Sequence, residues 1–181
     1  MNFRIRIAGN DDAAAIARVQ VESWKTTYAG IVPGAYLASM SMDAAAVRWR
    51  EQFAGSASTV LVAEDESSIF GFIGGGKLRK PIADYDGEIY AIYLMQDRQR
   101  RGVGRALTTA LANALRSEGL ASMIVWVLRE NPAVGFYRRL GAVPIAEANI
   151  EIGGAMLEEL ALGWLSLDAF LDGSKDLTGA A

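Results

Sequence analysis

Residues 99–107 read QRRGVGRAL and decide the fold of this chain. They follow the apolar run IYAIYLM at positions 89–95, which predicts a buried strand. After the first glycine, Val103, Leu107 and Leu111 recur every four positions, which is the spacing of a helix with one apolar face. The pattern therefore predicts a strand, a tight glycine turn and a helix in direct succession.

Such a turn is suited to binding an anion. The first N–H groups of a helix have no partner within the helix, and the helix dipole favours negative charge there. Gly102 and Gly104 lack the side chains that would keep a phosphate away from the backbone. Charged donors surround the turn at Arg98, Arg100, Arg101 and Arg105. A phosphorylated ligand is predicted; the simpler alternative is an ordinary turn with a solvated arginine face.

The residues after the glycines exclude two common nucleotide loops. A Walker A loop needs Lys followed by Ser or Thr, but Arg105 and Ala106 stand there. The dinucleotide fingerprint needs a third glycine where this chain has Leu107. The remaining pattern, Q-x-x-G-x-G, resembles the pyrophosphate loop of the GNAT (GCN5-related) N-acetyltransferases, which holds coenzyme A (CoA).

The composition indicates one globular domain. The chain has 181 residues, of which 51% are hydrophobic and 22% charged, and a chain of this length buries about 70% of its unfolded surface. We predict a domain over residues 1–171 and a flexible tail over 172–181. The net charge of −3 argues against a nucleic-acid partner.

The chain contains no cysteine and no histidine. It therefore has no disulfide, no thiolate nucleophile and neither of the two commonest zinc ligands, so no metal is predicted. Carboxylates, tyrosines, lysines or water must carry any proton transfer. No apolar run is long enough to span a membrane and residues 1–4 do not begin a signal peptide, so we expect a cytoplasmic protein without a membrane partner.

Strand and helix patterns alternate along the whole chain. Strands are predicted at 3–8, 59–64, 69–78, 89–95, 123–128, 142–152 and 155–164, and helices at 13–24, 35–40, from 41 onward, from 103 onward and at 132–140. Glycines 74–76 predict a bulge or the close approach of a ligand. Two hairpins around a strand–helix–strand–helix core predict a mixed α/β fold with a partly antiparallel sheet.

A second motif extends the family resemblance. Residues 131–142, NPAVGFYRRLGA, look like the second GNAT signature, an asparagine-led helix with a Phe-Tyr pair and a Leu-Gly exit. Residues 24–33, WKTTYAGIVP, resemble a helix and loop of small bacterial members. Ala142 stands where an aromatic residue is common. The resemblance covers essentially the whole chain and implies the GNAT fold, a mixed sheet flanked by helices on both faces.

The resemblance implies a set of residues that bind acetyl-CoA. Backbone N–H groups of the glycine loop would bind the pyrophosphate, and the end of the strand before it would pair with the pantetheine arm. Asn131 either binds that arm or only caps its helix. The implied set is Tyr93, Leu94, Met95, Gln99, Arg100, Arg101, Gly102, Val103, Gly104, Arg105, Asn131, Phe136 and Tyr137.

Three residues are candidates for catalysis. The N–H of Leu94 would polarise the acetyl carbonyl. Glu88 is a candidate base acting through water, and its alternative is a solvated carboxylate at a strand start. Tyr137 would protonate the leaving thiolate according to the family pattern, and its alternative is an aromatic residue of the core.

The acceptor pocket is less defined by the sequence. The candidates are Trp24, Tyr28, Glu88 and Tyr90, although Trp24 and Tyr28 lie four apart on a helix and could simply cover the sheet. Acidic residues could attract a cationic acceptor or form a solvated surface; they are Asp84, Asp86, Glu88, Glu158 and Glu159.

The function implied is transfer of the acetyl group of acetyl-CoA to a primary amine of a small molecule or peptide by direct attack. The alternative is a catalytically silent acyl-CoA-binding sensor module. The acceptor is not identified, because variable loops build its pocket, and a homodimer is left open.

Overall fold

The computed structural model describes residues 2–55, 58–82 and 84–175. Its centre is a seven-stranded sheet in the order β1-β2-β3-β4-β5-β7-β6. The strands are β1 Arg4–Ile7, β2 Thr59–Glu64, β3 Ile69–Lys77, β4 Gly87–Leu94, β5 Met123–Leu128, β6 Val143–Ile152 and β7 Ala155–Trp164. Neighbours run antiparallel except β4 and β5, which run parallel. The predicted mixed, partly antiparallel sheet is confirmed.

Six α-helices connect and cover these strands in the described part of the chain. They are α1 Ala13–Thr27, α2 Gly34–Ser39, α3 Met42–Gly55, α4 Val103–Ser117, α5 Ala133–Arg139 and α6 Leu167–Lys175. The sequence analysis missed α6, and the predicted tail begins inside it at Asp172. Leu167, Phe170 and Leu171 lie on one face of α6 and are buried in the core. Residues 176–181 of the predicted tail lie outside the described residues.

The helices bury different faces of the sheet. On one face, Leu107 and Leu111 of α4 are fully buried in a cluster that includes Ile89 of β4. On the other face, α1 and α3 pack in a cluster that includes Phe72 of β3. The Trp49 and Phe72 rings meet edge to face there, 5.2 Å apart. The sheet is therefore held between two apolar layers, as the predicted fold class requires.

Glycine brings β3 close to its neighbours. The pairing of β3 with β4 shifts register between Gly74 and Gly75, which confirms the predicted bulge. A Cβ atom on Gly75 would lie 2.6 Å from the Glu88 carbonyl oxygen and 2.8 Å from Cδ2 of Leu111. Only glycine lets β4 and α4 pack this closely against the strand.

The parallel pair in the sheet separates along its length. β4 and β5 are paired only at Glu88 with Ile124 and at Ile89 with Val125. Beyond this point β4 stays paired with β3 as far as Leu94, while β5 stays paired with β7. The two strands therefore diverge toward their carboxyl ends and leave an opening within the sheet.

Candidate active site

A cavity of about 700 Å³ occupies the opening between β4 and β5. Most of the predicted site residues line it, from the glycine loop to α5. They are Tyr28, Tyr90, Tyr93, Leu94, Gln99, Arg100, Gly102, Gly104, Arg105, Asn131, Phe136 and Tyr137. The predicted residues outside the lining are Trp24, Glu88, Met95, Arg101 and Val103. The tertiary structure thus brings segments from four parts of the chain to one place.

The glycine loop has the conformation expected of an anion site. Gly102 has φ +79° and immediately precedes α4, while Arg100 has φ +60°. The side chain of Val103 is buried in the core, and the N–H groups of the first turn of α4 have no acceptor within the helix. A Cβ on Gly104 would lie 3.2 Å from the Phe136 ring, so glycine lets that ring pack closely against the start of α4. These features fit a diphosphate.

One predicted arginine points elsewhere. Arg98 forms an ion pair with Asp65 at 2.7 Å, and its guanidinium lies 5.0 Å from the centroid of the Phe70 ring. It holds the β2–β3 turn and is not part of the cavity lining, so the prediction that it surrounds the phosphate is wrong. Arg139 of α5 lines the cavity instead. The sequence analysis missed it because α5 is brought beside α4 only by the fold.

The backbone of β4 presents polar groups to the opening. The Met95 N–H donates to the Phe70 carbonyl at 2.9 Å, and therefore Leu94, one residue earlier, directs its N–H and C=O away from β3. The Leu94 carbonyl accepts hydrogen bonds from Ser23 Oγ and Gln99 Nε2, each at 3.2 Å. Ile92 has the same orientation and also lines the cavity. The sequence analysis missed Ile92, although strand alternation from Leu94 could have found it.

Three tyrosines from different elements, Tyr28, Tyr93 and Tyr137, line the cavity. Tyr137 is 4% exposed, and burial together with the nearby Tyr28 raises its pKa above the usual value. Burial also raises the pKa of Tyr28, while interactions with Tyr93 and Asn131 lower it. The pKa of Tyr93 is raised well above its usual value, chiefly by burial. All these phenols are therefore protonated at neutral pH and can donate.

For Trp24 and Tyr28 the sequence left two alternatives open, packing in the core and a place in the acceptor pocket. Their rings pack against each other with centroids 4.6 Å apart, and Tyr28 belongs to a core cluster with Val32 and Leu37. Tyr28 nevertheless lines the cavity, whereas Trp24 lies behind it and also packs against Tyr93 at 6.4 Å. Core packing and a cavity role therefore coexist in Tyr28.

Glu88 is neither solvated nor part of the cavity lining. Its carboxylate is 2% exposed and accepts hydrogen bonds from the backbone N–H and the guanidinium of Arg79. Arg79 also lies 4.9 Å from the centroid of the Tyr90 ring, and the Tyr90 hydroxyl donates to the Lys77 carbonyl at 2.5 Å. The alternative of a solvated carboxylate is therefore wrong, and the surroundings of Glu88 favour a structural ion pair.

The other predicted acidic residues do not form a charged pocket. Asp86 accepts hydrogen bonds from the N–H groups of Ala121 and Ser122 and thereby ties β4 to β5. Glu158 pairs with Arg129 at 2.6 Å, and Asp84 is exposed. Glu159 is partly buried, and burial raises its pKa. Among the described residues that line the cavity, none is an aspartate or a glutamate.

The matching family model covers residues 21–142 and describes the "Acetyltransferase (GNAT) family". An uncharacterised N-acetyltransferase of Bacillus subtilis strain 168, YuaI, is 43% identical over 166 residues, which are 91% of this chain and 94% of the relative. The chain belongs to the GNAT acetyltransferase family. It is an acetyl-CoA-dependent N-acetyltransferase, as predicted.

Solved structures agree on the GNAT fold. The PaiA N-acetyltransferase of Thermoplasma acidophilum, in complex with CoA, superposes with a TM-score of 0.67 at 24% identity and covers 88% of this chain and 98% of its own. The ribosomal-protein-alanine N-acetyltransferase of Brucella melitensis gives 0.69 at 20% identity, with 89% and 98% covered. No helix in the described ranges is long and apolar enough to cross a membrane.

Proposed function

We propose that this GNAT enzyme acetylates a primary amine of a small molecule or peptide by direct attack of the amine on acetyl-CoA. The observation that carries the proposal is the single cavity that joins the Gly102–Gly104 loop to Tyr137. A phosphate site and a buried proton donor are thus parts of one space. The chain has no cysteine or histidine to carry an acetyl group, which supports transfer without a covalent enzyme intermediate.

The glycine loop and its arginines would bind the pyrophosphate of acetyl-CoA. Backbone N–H groups from Arg101 to Arg105 supply donors, and the guanidinium groups of Arg100 and Arg105 supply positive charge. In the described residues neither Arg100 nor Arg105 forms an ion pair with a carboxylate, so their charge remains for a ligand. The outward backbone of β4 at Leu94 would pair with the pantetheine arm.

The chemistry assigned to the chain is hydrogen bonding and proton transfer. The N–H groups of Leu94 and Ile92 face the opening and would stabilise negative charge on the acetyl oxygen. Tyr137 would give its proton to the departing sulfur. Since burial raises its pKa, the phenol is fully protonated at neutral pH and the donor form is always present.

The amine must be uncharged before it attacks, because an ordinary ammonium group has a pKa of about 10.4. Glu88 could accept the proton only through water, since its carboxylate lies behind the cavity wall and holds Arg79. Water in the cavity is the direct acceptor in this proposal. In this proposal Glu88 acts on proton transfer only indirectly, and Tyr137 is the principal proton-transfer residue.

Thiol release tests the proposal directly. The purified enzyme is incubated with acetyl-CoA and a panel of primary amines, and free CoA is measured with a thiol reagent; the chain has no cysteine, so every thiol counted is product. We expect amine-dependent release with at least one class of primary amine, and matching N-acetyl product by mass spectrometry. The proposal is wrong if no primary amine supports release while tertiary amines or alcohols do, or if an acetylated protein residue turns over at the catalytic rate.

A further inference from the structure

The hydroxyl group of Tyr28 has no part in the mechanism described above. Tyr28 caps the carboxyl end of α1, and its side chain is 9% exposed. It nevertheless lines the same cavity as Tyr137, which comes from α5, and the two phenols are close enough for Tyr28 to raise the pKa of Tyr137. A second phenol therefore lies beside the predicted proton donor.

Asn131 indicates whether the Tyr28 hydroxyl donates or accepts a hydrogen bond on its side. The Oδ1 atom of Asn131 accepts a hydrogen bond from the Ala133 N–H at 2.9 Å, and the residue is 6% exposed. Asn131 also acts to lower the pKa of the Tyr28 phenol, which is the effect expected when its Nδ2 group donates toward the phenolic oxygen. The Tyr28 oxygen is an acceptor toward Asn131, and the phenolic proton is left for another acceptor.

Tyr93 and Trp24 support Tyr28 from behind. The Trp24 ring lies 4.6 Å from the Tyr28 ring and 6.4 Å from the Tyr93 ring. The Trp24 Nε1 atom is buried and has no hydrogen-bond partner among the described residues. The Tyr93 hydroxyl interacts in turn with Tyr28. Tyr93 and Asn131 thus both interact with the Tyr28 hydroxyl, while the Trp24 ring packs against the rings of Tyr28 and Tyr93.

We propose that the Tyr28 hydroxyl donates a hydrogen bond to the sulfur atom of CoA and shares with Tyr137 the negative charge that develops there. The inference rests on the proposed function, because that function places the thioester beside Tyr137. In the reaction Tyr137 gives its proton to the sulfur as the amine nitrogen bonds to the acetyl carbon and the carbon–sulfur bond breaks. Tyr137 regains a proton from the amine nitrogen through water, and Tyr28 keeps its own proton throughout.

The composition of the cavity wall favours this assignment. The wall contains no carboxylate among the described residues, and the chain has no histidine. The arginines in the wall belong to the phosphate end or to α5, at Arg100, Arg105 and Arg139. Phenols are more acidic donors than the hydroxyls of Ser23, Thr26 and Thr27, which also line the cavity. Among the phenols, Tyr28 is the one on which Asn131 and Tyr93 act to lower the pKa, against the effect of burial.

The pKa of the CoA thiol in the complex tests the proposal. The chain has no cysteine, so the CoA thiol is the only thiol present, and its ionisation can be followed by the pH dependence of alkylation by iodoacetamide with the protein in saturating excess. We expect Tyr28→Phe to raise this thiol pKa by about 1, because one hydrogen bond to the thiolate is lost. Tyr137→Phe should raise it also. Tyr36→Phe is the matched control, since Tyr36 packs on Trp24 from outside the cavity lining.

A second variant changes the thiol pKa in the opposite direction. A 3-fluorotyrosine at position 28 keeps the ring but donates a stronger hydrogen bond, and it should lower the pKa of the bound thiol. The inference is overturned if both changes at Tyr28 leave the thiol pKa within the error of the Tyr36→Phe control while CoA binds normally. Failure of the parent enzyme to bind CoA at all would instead overturn the proposed function.

Discussion

The two ends of the cavity are built in opposite ways. The phosphate end is one continuous segment, residues 99–105, and it uses backbone N–H groups and exposed arginines. The tyrosine end takes Tyr28 from α1, Tyr93 from β4 and Tyr137 from α5, and its side chains are largely enclosed. The phosphate end binds the negative charge that CoA carries before the reaction. The tyrosine end faces the negative charge that develops on the sulfur during the reaction.

The difference separates the residues that determine CoA affinity from those that determine the turnover number. Backbone donors at a helix start and guanidinium groups at the surface interact with a charged ligand in water, so their effect is seen in binding. Buried phenols act where water is excluded and contribute most when a charge forms beside them. Variants at the phosphate end should therefore change CoA affinity, and variants at the tyrosine end should change the turnover number.

The largest effect is expected for Tyr137→Phe. The change removes the proton donor and keeps the ring, so kcat should fall by ~10²–10⁴-fold with CoA affinity nearly unchanged. Steady-state kinetics and calorimetric titration with CoA measure the two quantities separately. A kcat within twofold of the parent, under conditions where chemistry limits the rate, would assign proton donation to another group.

The pH profile gives a further check on Tyr137. Because burial raises its pKa above the ordinary value of 10.0, the phenol does not lose its proton in the neutral or mildly alkaline range. The kcat of the parent should therefore show no decline below pH 10 that disappears in Tyr137→Phe. A decline near pH 8 that the substitution abolishes would contradict the burial of this donor.

The next effect is expected at the phosphate end. Gly104→Asp places a negative charge in the loop and a Cβ 3.2 Å from the Phe136 ring, and CoA affinity should fall at least tenfold, about 1.4 kcal/mol. Gly104→Ala introduces the same Cβ without the charge and should weaken binding less. Calorimetric titration of both folded variants separates the two causes. Equal affinity in the parent and Gly104→Asp would disprove the loop assignment.

A smaller effect on catalysis is expected for Glu88→Gln. The carboxylate is buried against Arg79 and does not line the cavity, so kcat should fall less than about tenfold while the free energy of unfolding decreases by about 1–2 kcal/mol. Urea denaturation and kinetics on one preparation measure both, with exposed Glu130→Gln as the control. A loss of kcat above about 100-fold, with the acidic limb of the pH profile removed, would establish Glu88 as the base.

No effect is expected from removal of metal ions. Neither end of the cavity needs a metal in the proposed mechanism, so the turnover number should be unchanged after dialysis against a strong chelator. In the described ranges no group of three acidic residues converges to hold an ion. A loss of activity that returns on addition of zinc or magnesium would show that a metal takes part.

The candidate site was predictable to different degrees along the chain. The loop residues were predictable because Gly102, Gly104 and the flanking arginines are adjacent in sequence, and helix geometry alone makes them an anion site. The error at Arg98 arose because an arginine has a long side chain, and Asp65 from the β2–β3 turn is the nearer charge. The burial of Glu88 depended on Arg79, which the sequence pattern did not connect to it.

The sequence by itself determined the alternation of strands and helices, the position of the glycine loop and the two motifs of the GNAT family. These features follow from periodicity and from backbone conformation, which act between residues close in the chain. The tertiary structure alone decided that β4 and β5 diverge after Ile89, that Arg139 joins the cavity, and that Tyr28 lies beside Tyr137. These contacts join residues that are 34 to 109 positions apart; they depend on how whole layers pack, and no local pattern encodes that packing.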